Sequence, residues 1–213
     1  MRVDTLSSGR TYFTPDGDYP SITTVLGKTA NNPWLQAWKD RVGEEEAARI
    51  SKEATDRGTL VHEYAEKYFN GEDIFSDLVQ ETSDVIQMSK DLVKIAETGV
   101  EEIWGQEQIL WSNKLKYAGR CDMVGIWKGK PSIIDFKTSA KEKKEAYLYD
   151  YFVQETAYAC MLLERYKLRV KQLVTIVSCE DGETQVVIRP LKKEYLASLF
   201  KYIDEYQNKH GKK

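Results

Sequence analysis

Two hydrophobic, strand-forming runs, LKYAGRCDMVGIWK and PSIIDFKT, meet at Lys128-Gly129-Lys130 and carry Asp122 and Asp135 where a sheet would bury apolar side chains. Residues i and i+2 of a strand share a face, so Asp135 and Lys137 point one way while Ile134 and Phe136 point the other. If the two runs pair through the KGK turn, Asp122 approaches the same edge. Two close carboxylates repel strongly in a low-dielectric site unless a cation lies between them. A divalent metal resolves the conflict, and oxygen ligands of this kind suit Mg²⁺ or Mn²⁺. Such an ion polarises a phosphodiester oxygen and acidifies water, while the Lys137 ammonium holds the attacking water and offsets transition-state charge. The alternative is an exposed Asp–Lys pair beside an unrelated turn aspartate, worth at most ~1 kcal/mol.

The flanking sequence sets the fold class. Residues up to about 100 read as mainly helical: Ser21 caps a helix over ITTVLGK, and NPWLQAWKDRVGEEEAARISKEATDRG is rich in helix formers. GTLVHEYAEKYFNGE forms a further helix stopped near Asn70-Gly71, and SDVIQMSKDLVKIAETG another, with Ser83 as N-cap and Gly99 past its end. From Gln106 the period changes to that of strands, with QEQILWS preceding the two runs above. A helix over about Glu145–Arg165, a hairpin around Asp181-Gly182 and a closing helix follow. Leu196, Leu199, Phe200, Ile203 and Tyr206 give that last helix one apolar face, expected to cover the sheet. The expectation is one α/β domain over residues 1–213, with a mixed central sheet flanked by helices. Residues 1–100 form its helical portion and 101–213 its catalytic core.

With 34 acidic against 31 basic residues, the net charge of −3 argues against a protein that coats nucleic acid by bulk electrostatics. A locally basic groove remains compatible with it. No apolar run approaches the roughly 20 residues of a membrane span, and the first residues lack a secretory h-region, so a cytoplasmic protein without a membrane partner is expected. Cys121, Cys160 and Cys179 are widely spaced, without a CxxC pair, and read as reduced structural thiols. The phosphate-loop, dinucleotide and serine-nucleophile motifs of kinases, dehydrogenases and β-lactamases are missing.

Asp122, twelve intervening residues, then Asp135-Phe136-Lys137 resembles the PD-(D/E)xK nuclease signature. GRCD, IDFKTS and QETAY, in that order, are similar to the GxxD, DxKT and QxxxY motifs of its RecB-type exonuclease branch. GTLVHEYAE resembles that branch's upstream helix, which carries a metal-binding histidine. The similarity runs from PSITTVL to the closing helix and is closest to the exonucleases of mitochondrial genome maintenance and their phage relatives. It implies a restriction-endonuclease-like core, a metal site of His62, Asp122, Asp135 and Phe136, and catalytic roles for Asp122, Asp135, Lys137 and Glu107. Cysteines that hold an iron–sulfur cluster in some relatives have no counterparts, so no such cluster is expected.

Around that set, Glu66 lies one turn from His62 and can orient it. Gln154 and Tyr158, four apart on a helix, present to one surface and are expected to bind DNA or Lys137. Thr138 and Ser139 can donate to a phosphate. Lys141, Lys143 and Lys144 precede Tyr147, Tyr149, Tyr151 and Phe152, a composition suited to single-stranded nucleic acid. Trp34, Trp38 and Arg41 can line a strand passage, although tryptophans at i and i+4 favour a core position. The resulting expectation is a Mg²⁺- or Mn²⁺-dependent exonuclease acting on single-stranded DNA ends in replication, recombination or repair, with proteins of those processes as partners. A viral origin, and hence the host cytoplasm, fits the phage members. Competing readings are a restriction-type or structure-selective endonuclease and an inactive nucleic-acid-binding module.

Overall fold

The computed structural model describes residues 1–6, 9–29 and 33–210, with the side chains of residues 6, 33 and 34 left aside. The first twenty residues depart from the helical expectation. Strands β1 (Arg2–Leu6), β2 (Gly9–Thr14) and β3 (Gly17–Pro20) form an antiparallel three-stranded sheet. The signal was available in the Pro15-Asp16-Gly17 turn between β2 and β3, a composition that specifies a tight hairpin. Tyr12 and Tyr19 of this sheet pack on Trp111 and Ala118 of the main sheet.

Helix α1 (Ile22–Thr29) starts where predicted, with Ser21 Oγ accepting from the Thr23 N–H at 3.3 Å. Helix α2 (Pro33–Val42) follows, and then α3 (Glu44–Phe69), which runs unbroken through Gly58. The predicted division near Gly58 is instead at Gly43, whose φ of 88° a helix cannot accept. Three glutamates, Glu44 to Glu46, favour the positive end of the α3 dipole, and Asn70-Gly71 stops the helix as expected. After the short α4 (Phe75–Leu78) comes α5 (Ser83–Glu97), whose N-cap is Thr82 rather than Ser83.

The main sheet has the order β4 (Val100–Ser112), β5 (Tyr117–Trp127), β6 (Lys130–Lys141), β7 (Gln172–Asp181), β8 (Gln185–Pro190). Neighbours are antiparallel except β6 and β7, which run parallel and therefore need a crossover. Helix α6 (Tyr149–Tyr166), entered through a turn of 3₁₀ helix at Glu145–Tyr147, supplies it. Lys128 and Gly129, both at positive φ, make the β5–β6 turn.

Each face of the sheet has its own core. Met123, Ile134, Phe136, Val174 and Ile176 meet α3 and α5, whereas Cys121, Val124, Ile133, Leu173 and Val177 meet α1 and α6. Ile134 and Phe136 contribute about 1.5–3 kcal/mol each, which offsets the cost of burying Asp135 on the same strand. Helix α7 (Lys193–His210) lies mainly on α6 and α1 instead of covering the sheet. Tyr195, Leu199 and Ile203 are its buried residues, and Phe200, expected on the apolar face, is exposed.

Candidate active site

The site opens where β5 and β6 part. Their ladder ends at the Met123–Ile134 pair, while β6 continues beside β7 through Asp135 to Lys141. Past the fork, the Phe136 N–H has no β5 carbonyl to meet, and Asp122 Oδ2 accepts it at 2.7 Å. Asp122 thus closes the backbone ladder with its side chain and is held at the mouth of the fork. Two bulges in β4, at Val100/Glu102 and Ile103/Gly105, slide the register so that Gln106 faces Met123 and Gln108 faces Cys121. Glu107 is thereby opposite Asp122. Its φ of 47° is left-handed, a conformation costing a non-glycine residue of order 1 kcal/mol and typical of functional positions.

From the other side, α3 brings His62 over the fork, with Nδ1 3.7 Å from Asp122 Oδ1. One potential ligand atom each from His62, Glu107 and Asp122 lies within 4.8 Å of the others. An ion with bonds near 2.0–2.1 Å places its ligands about 3–4 Å apart, so this mixed nitrogen–oxygen set fits a small divalent cation. The close approach of α3 depends on Gly58, where a Cβ would sit 3.0 Å from Thr138 Oγ1.

Asp135 is fully buried beside this trio. Its Oδ1 accepts from Gln154 Nε2 at 3.1 Å, and its Oδ2 pairs with the Lys137 ammonium. The shared face predicted for Asp135 and Lys137 is therefore present. Gln154 also donates to the Tyr158 hydroxyl at 3.2 Å, so the QxxxY residues brace the carboxylate from α6. Gly119 makes room for that brace, since a Cβ there would meet Tyr158 Cε1 at 2.7 Å. Phe136 touches the site through its backbone, its ring packing at an edge-on angle near His62.

Burial moves the charges of these groups. It raises Glu107 to about 7, aided by Asp122 and opposed by Arg120, which pairs with Glu107 at 2.8 Å. Burial lifts Asp135 to about 6 against the pull of Lys137, and Asp122 is raised for the same first reason. His62 falls to about 4 through burial and the nearby Lys137, which leaves a neutral imidazole fit to ligate. Burial alone would discharge Lys137, but Asp135 and Asp122 hold it protonated above the ordinary lysine value.

A cleft of about 460 Å³ lies above the fork. His62, Glu66, Glu107, Asp122, Lys137, Gln154 and Tyr158 line it, as expected of residues singled out in the sequence. Thr138 and Ser139 are half-buried and not among its lining residues, and the 141–152 segment lies outside it as well. Arg10, Thr23, Thr55, Thr59, Glu63 and Arg120 complete the wall and were missed. Arg120 stands inside the GRCD motif and was recoverable from it; the others come together only through the docking of α1, α3 and the small sheet. Trp38 is half-buried along an open groove with Leu35, Arg41 and Ile50, not in the core, and the Trp34 side chain lies outside the described residues.

Over 203 residues the chain is 25% identical to mitochondrial genome maintenance exonuclease 1 of Mus musculus, covering 89% of this chain and 59% of that relative's length. A crystal structure of an Eubacterium rectale protein assigned as an exonuclease superposes with a TM-score of 0.49 at 11% identity, covering 72% of this chain and 65% of that one. The structure of SSO0001 superposes at 0.33 and 16% identity, over 70% and 74% of the two chains. The family model of the PD-(D/E)XK nuclease superfamily matches residues 34–208. That match spans every strand and helix that supplies His62, Glu107, Asp122, Asp135, Lys137 and Gln154, and the chain belongs to the PD-(D/E)XK nuclease superfamily.

Proposed function

We propose that the protein is a divalent-metal-dependent deoxyribonuclease that degrades single-stranded DNA from its ends, in replication, recombination or repair. The convergence of His62, Glu107 and Asp122 beside the Asp135–Lys137 pair supports this reading most directly. A bound Mg²⁺ or Mn²⁺ supplies Lewis-acid polarisation of a phosphodiester oxygen and acidifies water at neutral pH. His62, Glu107 and Asp122 would hold it, with Asp135 and the Phe136 carbonyl completing the set.

The remaining work falls to the protein's own groups. Lys137 stays charged at the cleft floor, where its ammonium orients the attacking water and offsets the negative charge that grows on the phosphoryl oxygens. Gln154 keeps Asp135 turned toward Lys137, so the ammonium is held in one place before substrate arrives. The preference for free ends rests on the likeness to the mouse exonuclease.

Oligonucleotides labelled at either end, single- and double-stranded, incubated with Mg²⁺ or Mn²⁺, test the proposal together with a closed single-stranded circle. Linear single strands are expected to shorten progressively while the circle persists. Cutting of the circle would replace the exonuclease reading with an endonuclease one. No hydrolysis with either cation, or hydrolysis unchanged in Asp135→Asn, would overturn the assignment.

A further inference from the structure

We infer that Arg10 is a binding site for a phosphate of the nucleic-acid backbone, adjoining the one at the metal cluster; this rests on the nuclease reading above. Arg10 lies on β2, outside residues 34–208 of the family match, yet it lines the same cleft as Asp122 and Lys137.

Among the described residues, the cations Arg10, Arg120 and Lys137 line that cleft, and the last two are already engaged within the fold. Arg120 is paired with Glu107, and Lys137 with Asp135. Arg10 is half-buried and, among the described residues, its guanidinium has no carboxylate partner. A guanidinium that faces a cleft without a carboxylate partner is a strong, bidentate receptor for an anion such as a phosphodiester.

Its placement is also fixed before any ligand binds. The Arg10 N–H donates to Thr24 Oγ1 at 3.1 Å, and its carbonyl accepts from the Ser21 N–H at 2.8 Å. Ser21 in turn forms a parallel bridge to Ala118, four residues before Asp122 on β5. A short chain of backbone contacts therefore ties the Arg10 backbone to the strand that carries a metal-site carboxylate. The small N-terminal sheet acquires a role from this: it adds to the substrate wall a cation that is not already paired with a carboxylate, as Arg120 and Lys137 are. The exposed Thr23 hydroxyl sits on the same wall.

Initial rates on a labelled single-stranded oligonucleotide test the proposal, measured from 50 to 200 mM NaCl with the wild type, Arg10→Ala, Arg10→Gln and Arg10→Lys. KM is expected to rise roughly 10- to 100-fold in the Ala and Gln variants with kcat within about threefold, the scale of one charge-assisted hydrogen-bonded contact. The log–log salt dependence of KM should lose about 0.7 in slope, one phosphate's worth for a single strand, and Arg10→Lys should retain it. A purely structural role would not move that slope. Wild-type KM and slope in the neutral variants would overturn the inference. The hydrogen bonds of Arg10 to Thr24 and Ser21 are made by its backbone and survive substitution of the side chain, and Gln serves if Ala melts early. Should the wild type itself fail to hydrolyse DNA, the nuclease reading fails; anisotropy of the same oligonucleotide with the same variants then reads the phosphate contact by itself, and equal affinity across them would refute it.

Discussion

Replacing Asp122 by Asn separates a functional carboxylate from a structural one. Asp122 has two duties: its Oδ2 accepts the Phe136 N–H at 2.7 Å, and its charge stands within 4.8 Å of a Glu107 oxygen. The Asn side-chain oxygen keeps the first and removes the second. Two like charges at that separation repel by about 3 kcal/mol at an effective dielectric of 20. Arg120 beside Glu107, and Lys137 close to Asp122, offset part of this. A net gain of about 1–2 kcal/mol is therefore expected at pH 8 without metal, raising Tm by about 2–8 °C in a chain of this size. Near pH 5 the gain should vanish, because Glu107, raised to about 7, is already protonated. Asp122→Ala loses the same charge but also leaves the Phe136 N–H unpaired, so it should fall about 1–3 kcal/mol below the Asn variant at either pH, and below the wild type by that amount near pH 5. Hydrolysis should fall more than about 100-fold in both. Thermal melts in EDTA at pH 5 and pH 8, paired with rates in Mn²⁺, measure all of this. An Asn variant that melts below the wild type at pH 8, or hydrolyses like it, would refute the account of the cleft as a strained cation site.

Three further outcomes follow from the same geometry. Gly119→Ala should cost about 1–3 kcal/mol by denaturant melt and lower the rate as well, because the new methyl displaces Tyr158 and with it the Gln154 brace; an unchanged rate would break that link. Gln154→Leu should leave metal affinity within about tenfold by calorimetry yet reduce kcat, since Asp135 loses its 3.1 Å donor while His62, Glu107 and Asp122 remain. Without metal, the protein should lose stability between about pH 4 and pH 7. Glu107 and Asp135, at about 7 and 6 in the fold, contribute stability below their unfolded values that disappears as pH rises through those points. His62, lowered to about 4, works in the opposite direction between pH 4 and 6.5, but one base does not cancel two acids. Added Mn²⁺ should reverse the loss, with a larger Tm shift at pH 8 than at pH 5, because the ligands must be deprotonated; a flat metal effect across that range would count against the cluster.

Much of this architecture was legible in the chain because strand and helix periods are local. The β5–β6 pair, its KGK turn and the facing of Asp135 with Lys137 follow from alternation, helix α1 from its Ser21 cap and helix α5 from its apolar spacing. The N-terminal sheet departs from the helical expectation although a Pro-Asp-Gly turn marks its hairpin, because helix formers outweigh strand formers over the rest of residues 1–100. The face of α7 was misjudged for a different reason: hydrophobic spacing gives the stripe but not its partner, and α7 packs on α6 and α1 with Tyr195 in the place expected for Phe200.

By itself the sequence determined which groups can do the chemistry: two aspartates, a lysine two residues on, and a histidine in an upstream helix. Tertiary structure decided how they are used. The register of β4, advanced by two bulges, puts Glu107 opposite Asp122, and the parting of β5 from β6 turns Asp122 into the acceptor for a backbone N–H. Gln154 and Tyr158 brace Asp135 instead of standing free, and Arg10 reaches the cleft from a separate sheet. The reason is physical: side-chain alternation is set by neighbours along the chain, whereas bulges, strand divergence and sheet docking depend on contacts among residues far apart in sequence, which no local pattern encodes.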